Sequence, residues 1–197
     1  SIAWVLVLHI DKLYEERREL SNRLMYDHLT QAFSRSYLEI RLAQAIDLMT
    51  RQEVNVLSVC VFDIDNFKKI NDQFGHASGD ELLKQITQIV KNNIRTFDCI
   101  ARLGGDEFVI LFCEQEDENN AFMIVERIRS NISEALFKTD KHKFNASCSF
   151  GLVSATHKQC NVNDLANQML SCADVALYNA KHKGKNAIGE TKLINLS

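Results

Sequence analysis

Apolar and polar positions divide the chain into alternating strands and helices. Val54–Asp65, VNVLSVCVFDID, is a run of β-branched and aromatic residues and reads as a strand ending in two carboxylates, Asp63 and Asp65. These two share a face only if the strand continues through Asp65; a bend there separates them. Ala101–Phe112, ARLGGDEFVILF, reads as two strands bent at Gly104–Gly105, because tight hairpin turns need the positive φ that glycine adopts without penalty. Between these stretches, Asn66–Asp80 reads as a short helix and a loop. Ser78–Glu81 has the form of a capping box, and Leu82, Leu83, Ile86, Ile89, Val90 and Ile94 then line one face of a helix running to about Arg95.

Helical spacing also predicts helices over Arg35–Met49, Ala121–Leu136 and a segment from an Asn161 cap to about His182, ended by Gly184. Asp27 or Thr30 can cap the segment that leads into the first of these. Phe144–Val153 is a further strand, Asn186–Gly189 a short last one, and Glu114–Asn120 an acidic, solvated connector. A hairpin pairs its strands antiparallel, whereas helical crossovers add parallel neighbours. The expected architecture is α+β, with a mixed central sheet of about five strands flanked by helices.

The first residues follow a different pattern. Ile2–Leu8 is apolar but falls short of the ~20 residues that span a bilayer. Leu6, Ile10, Leu13, Arg17, Leu20 and Leu24 recur at heptad spacing with one arginine out of place. Two readings follow: a helix packed on its own domain, or a stalk that brings two copies together. The chain begins at Ser1, so a piece of a longer protein is expected, with residues 1–25 as an N-terminal linker helix, 26–190 as the globular domain and 191–197 as a tail.

Composition narrows the function classes. A net charge of −3 with 25% charged residues excludes a surface dominated by basic charge, so no nucleic-acid partner is expected. The 6 cysteines form no Cys-x-x-Cys pair, and Cys60, Cys113 and Cys148 sit in or beside apolar runs. They read as buried thiols of a reducing compartment.

Candidate chemistry lies in the acids. Asp63 ends one strand, and Asp106 and Glu107 follow the glycine bend. In a ferredoxin-like sheet these points can fall on the same edge. Carboxylates gathered there repel unless a divalent cation joins them, and Mg²⁺ with waters and substrate phosphates suits hard oxygen ligands. Lys68, Lys181 and Lys185 are candidate phosphate contacts, although lysines at the end of a helix also simply complement its dipole.

Phe62–Asp80, FDIDNFKKINDQFGHASGD, and Arg102–Phe108, RLGGDEF, resemble the diguanylate cyclase family, whose catalytic module is the GGDEF domain. The likeness continues at Asp27–Thr30, at Ser149–Gly151 and at Ala173–Lys181, in the same order over about residues 26–190. The resemblance implies a nucleotidyl-cyclase palm that condenses two GTP to cyclic di-GMP with release of two pyrophosphates, working as a homodimer with Mg²⁺, or Mn²⁺ in its place. It implies Asp63, Asp106 and the Ile64 carbonyl as metal ligands, and Glu107 as a further ligand or the base for the 3′-hydroxyl proton. Lys68 and Lys181 would hold phosphates and offset transition-state charge. Phe67, Gly104, Gly105 and His76 would line the nucleotide site, with Lys185 at a phosphate.

Asn71 and Asp80 match the family's guanine-reading pair. A carboxylate accepts from guanine N1–H and the 2-amino group, which adenine lacks. Arg95-Thr96-Phe97-Asp98 matches the Arg-x-x-Asp product-inhibition site, with Arg95 on phosphate or the guanine edge and Asp98 on guanine donors. Two departures stand out. Gln31–Ser36 replaces the family's usual Gly-Leu and Asn-Arg-Arg, keeping only Arg35, and Lys185 replaces an arginine, losing the planar fork. The expected function is a GTP-dependent cyclase in the cytoplasm, with a parent protein anchored in the inner membrane as one arrangement. The alternative is a non-catalytic receptor for cyclic di-GMP or GTP.

Overall fold

The computed structural model describes residues 9–10, 12–13, 24–115, 118–156 and 164–192. In chain order it has β1 (Phe33–Ser34), α1 (Arg35–Thr50), β2 (Val56–Ile64), α2 (Phe67–Phe74), α3 (His76–Asn93), β3 (Cys99–Gly104) and β4 (Glu107–Gln115). Then follow α4 (Glu118–Glu134), β5 (Phe137–Lys138), β6 (Lys143–Phe144), β7 (Cys148–Thr156), α5 (Leu165–His182) and β8 (Ile188–Lys192).

Six strands form the main sheet in the order β1-β3-β4-β2-β7-β8, and β5 pairs with β6 in a separate ribbon. The inner pairings β3–β4, β4–β2 and β2–β7 are antiparallel, while β1–β3 and β7–β8 are parallel. The sheet is mixed, as expected, with one strand more than the expected five: β1 is only two residues long and leaves no periodicity to read.

β2 is buried along its whole length because helices cover both faces of the sheet. Cys60, Phe62 and Ile64 face Leu82, Leu83, Ile86 and Val90 of α3 and Val125, Ile128 and Ile132 of α4. Val59 and Val61 face Leu38, Leu42 and Met49 of α1 and Met169, Ala173 and Leu177 of α5. A glycine sets the second layer's approach: a Cβ at Gly151 would stand 2.0 Å from the Ala173 carbonyl oxygen and 2.3 Å from Leu177 N. Helix α5 therefore lies directly on β7, and its last turn reaches the end of β2.

Several boundaries differ from the sequence expectation. Ser34, rather than Asp27 or Thr30, caps α1, its side chain accepting from Tyr37 N at 3.2 Å. Asp27 instead closes the preceding turn, accepting from Thr30 N at 2.9 Å and Thr30 Oγ1 at 2.6 Å. The Ser78 capping box does not form. Gly75, with φ 84°, ends α2 and starts α3 at once, and the Ser78 hydroxyl donates back to the Phe74 carbonyl at 2.9 Å. The acidic connector is shorter than expected, since β4 runs to Gln115 and α4 starts at Glu118. Helix α5 starts at Leu165, with Asp164 preceding it. Asn161 lies outside the described residues, as do Cys160, Leu6, Arg17, Leu20 and Ile2–Leu8. Ile10, Leu13 and Leu24 of the heptad pattern are described, helical and exposed. Cys60, Cys99, Cys113 and Cys148 are buried thiols. Among the described residues no helix is long and apolar enough to cross a membrane.

Candidate active site

The end of β2 gathers the acids. Asp63 is the cross-strand partner of Glu107 on β4 and of Ser149 on β7. Directly opposed residues of an antiparallel pair place their side chains on one face, here the α1–α5 face. Lys181, in the last turn of α5, ion-pairs with Asp63 across that face. Asp63 is only 8% exposed. Burial pushes its carboxyl above the ordinary value, Lys181 pulls it back, and the charges of Asp106 and Asp65 push it up again. Asp174 on α5, a residue not singled out from sequence, is likewise raised by burial and by the charge of Glu107.

The bend itself is displaced by one residue from the expected Gly104–Gly105. Gly104 still belongs to β3 and pairs with Glu107, so Gly105 and Asp106 form the turn. Leu103 is the extra residue of a bulge between the Arg102–Phe108 and Gly104–Glu107 pairs. Gly104, at φ 151°, takes a backbone that essentially only glycine adopts, and Gly105, at φ 55°, sits in the left-handed region that glycine enters without penalty. Arg102 anchors this turn. Its Nε and Nη2 donate to the Gly105 carbonyl at 3.0 and 2.7 Å, and its Nη1 donates to Asp27 Oδ1 at 3.0 Å.

Asp65 lies one residue past β2 but still pairs with β7, its N donating to the Ser147 carbonyl at 2.8 Å, so it meets Ser149, the cross-strand partner of Asp63, on the same face before the chain turns through Asn66 at φ 59°. Asp65 is a structural hub. It accepts from Ser147 Oγ at 2.6 Å, Ser149 Oγ at 2.7 Å and Asn186 N at 3.0 Å. It thereby ties β2, β7 and the loop between α5 and β8. Lys185, in that loop, donates to Asn66 Oδ1 at 2.7 Å. Phe67 and Lys68 open α2, the first half-buried and the second exposed.

One turn after Phe67 on α2, Asn71 packs with it against the first turn of α3, and its Oδ1 is buried with no hydrogen-bond partner. A buried acceptor left unpaired is costly, and an incoming donor would satisfy it. Asp80 and His76 stand exposed on the same first turn.

The acids fit a divalent cation in chemistry but not as a finished cage. Among the described residues no group of three or more acidic, histidine or cysteine side chains is placed to hold a metal ion. With Lys181 on Asp63, the protein offers hard oxygens at Asp63, Asp106 and Glu107, and a six-coordinate ion there needs substrate phosphates and waters to complete it.

Residues 24–187 match the family described as diguanylate cyclase, GGDEF domain. The chain belongs to that family. It is 37% identical over 169 residues to diguanylate cyclase DgcS of Shewanella oneidensis, an alignment covering 86% of this chain and 53% of DgcS. It spans still less, 24% and 41%, of two other curated relatives. Among solved structures, the coiled coil and GGDEF domain of DgcB from Caulobacter crescentus, in complex with c-di-GMP, superposes with a TM-score of 0.85 at 22% identity, covering 94% of this chain and 95% of that one, which shows the fold. A microbial GGDEF domain solved for its interaction with cyclic di-GMP gives a TM-score of 0.70 at 28% identity, covering 87% and 99%.

In this GGDEF domain the Arg95–Asp98 pair lies apart from the acids, at the start of β3. The two residues are used differently. Asp98 is buried, its Oδ2 accepting from Arg95 N at 3.0 Å and its Oδ1 from Cys113 N at 3.0 Å. Arg95 and Phe97 are exposed beside it. The departure at Gln31 leaves the turn intact. Gln31 adopts φ 57° where the family usually has glycine, with its side chain donating to the His28 carbonyl at 3.2 Å.

Proposed function

We propose that the chain is the catalytic module of a diguanylate cyclase that condenses two GTP into cyclic di-GMP. The observation that carries this is the cross-strand pairing of Asp63 with Glu107, which brings the FDID strand and the GGDEF turn to one point on the sheet. Bound there by Asp63, Asp106, Glu107 and the Ile64 carbonyl, Mg²⁺ or Mn²⁺ would neutralise the triphosphate and activate a hydroxyl for attack at phosphorus. Lys181 leaves Asp63 for the phosphates, and Lys68 and Lys185 approach them from α2 and the loop before β8. Asn71 and Asp80 accept from guanine, and Gly104–Gly105 let the backbone come close to the nucleotide. The 3′-hydroxyl of one GTP attacks the α-phosphorus of the other and pyrophosphate leaves, twice. Each protomer presents one nucleotide, so the working unit is a homodimer. The exposed Ile10, Leu13 and Leu24 support a stalk that pairs two copies. The substrate places the domain in the cytoplasm.

Incubation with GTP and Mg²⁺, followed by chromatography of the products, tests this. Cyclic di-GMP and pyrophosphate in a 1:2 ratio are expected. A dimeric sample that binds GTP yet makes neither would overturn the catalytic reading and leave a receptor.

A further inference from the structure

We infer that Gly79 is a specificity-determining residue: the missing side chain at 79 is what lets Asn71 present its carboxamide to the purine base. This rests on the guanine-nucleotide reading above. Gly79 is buried in the first turn of α3 and its backbone is not among those with positive φ, so no turn demands glycine there. The demand is spatial. A Cβ at 79 would stand 1.9 Å from Asn71 Oδ1, 2.9 Å from Asn71 Cγ and 3.2 Å from Phe67 Cζ. The two closest atoms belong to one carboxamide, and that carboxamide carries the buried Oδ1 that has no hydrogen-bond partner.

A short carboxamide tied to α2 cannot yield without swinging away from α3, because only two torsions place it. With glycine at 79 it has room to turn about its Cβ–Cγ bond and meet a ligand donor. Asp80, the next residue, is exposed on the same turn. Guanine offers N1–H and the 2-amino group as donors. Two acceptors side by side suit that pair, and hypoxanthine, which keeps N1–H but lacks the 2-amino group, leaves one acceptor unfilled. Sites built to hydrogen-bond a group reject the analogue without it. The preference for guanine over hypoxanthine therefore depends on the space at 79 as well as on the two acceptors.

The test measures binding rather than turnover, using the α,β-methylene analogues of GTP and ITP, which cannot lose pyrophosphate. Calorimetry compares the chain with Gly79→Ala, Asn71→Ala and the double variant. The expected result is that Gly79→Ala weakens the GTP analogue about tenfold, changes the ITP analogue little and collapses the preference between them. In the Asn71→Ala background the same change should have little further effect, since the two closest atoms it strikes are gone and only Phe67 Cζ remains. An unchanged preference in Gly79→Ala, or an additive loss in the double variant, overturns the inference while leaving the guanine reading standing. Failure of the unsubstituted chain to bind either analogue overturns both. If Gly79→Ala alone does not fold, a double variant that folds and binds like Asn71→Ala still supports the coupling, and a double variant that also fails to fold refutes it.

Discussion

Two aspartates with one residue between them show how hydrogen-bond partners assign chemistry. Asp63 pairs with Lys181 and faces the acids, whereas Asp65 has both oxygens taken by two serines of β7 or beside it and a backbone amide. Burial raises the Asp63 carboxyl, Lys181 lowers it, and the charges of Asp106 and Asp65 raise it again. Asp106→Asn should reduce cyclic di-GMP formation about 100-fold or more, since it removes a hard ligand and charge at the reacting phosphates. The side chain sits on a half-buried turn beside Gly105, so the thermal unfolding midpoint should stay within a few degrees of the parent. Retained turnover with an unchanged midpoint would show that the cation is held elsewhere.

At the scale of elements, Arg102 joins two loops far apart in sequence, the turn at Asp27 and the hairpin at Gly105. Burial alone would raise the Asp27 carboxyl, but the Thr30 hydroxyl and amide and the Arg102 guanidinium hold it below its ordinary 3.8. A carboxylate with a depressed folded value stabilises the protein at pH above its unfolded value and loses that contribution as pH falls through the folded one. Asp27→Asn should therefore cost on the order of 1 kcal/mol near pH 7, a gap that closes as pH falls below about 4. Urea midpoints of both proteins from pH 7 to pH 3 measure it, and a gap that stays constant with pH would remove the charge from the explanation. Elements also mark the limit of what the sequence made legible. The long apolar runs of β2 and β4 and the face of α3 announced themselves, because each buries many side chains at a regular period. The β5–β6 ribbon, the two-residue β1 and the bulge at Leu103 did not, since strands of two residues have no period and a bulge depends on its partner strand. The start of α3 was misplaced because one glycine serves two helices. The acids and lysines of the site were readable as types, but the Lys181–Asp63 contact joins residues 118 apart and depends on the packing of α5 on Gly151 and Gly189 of the sheet.

Across the whole molecule, the acids and the Arg95 loop are separate surfaces of one sheet. The loop is stapled by Asp98, whose two oxygens hold the backbone at Arg95 and at Cys113 on β4. Asp98 is buried and holds two backbone donors, which gives it a part in shaping the loop whatever else it meets, and Arg95 stands exposed beside it. An arginine fork suits phosphate or the guanine edge, so under the proposed function Arg95 would be the contact for cyclic di-GMP, away from Asp63 and Asp106. Because β3 continues from this loop into the GGDEF turn, product bound here would sit one strand away from Asp106. Arg95→Ala should then raise the product concentration that halves the rate by about tenfold or more while leaving the initial rate unchanged. Asp98→Ala should instead lower stability by about 2–4 kcal/mol, because it strands two backbone donors, one of them buried. Progress curves with added cyclic di-GMP, read beside urea midpoints, separate the two roles. An inhibition constant that does not move in Arg95→Ala would place the control of this domain in another surface, such as the contact between two protomers.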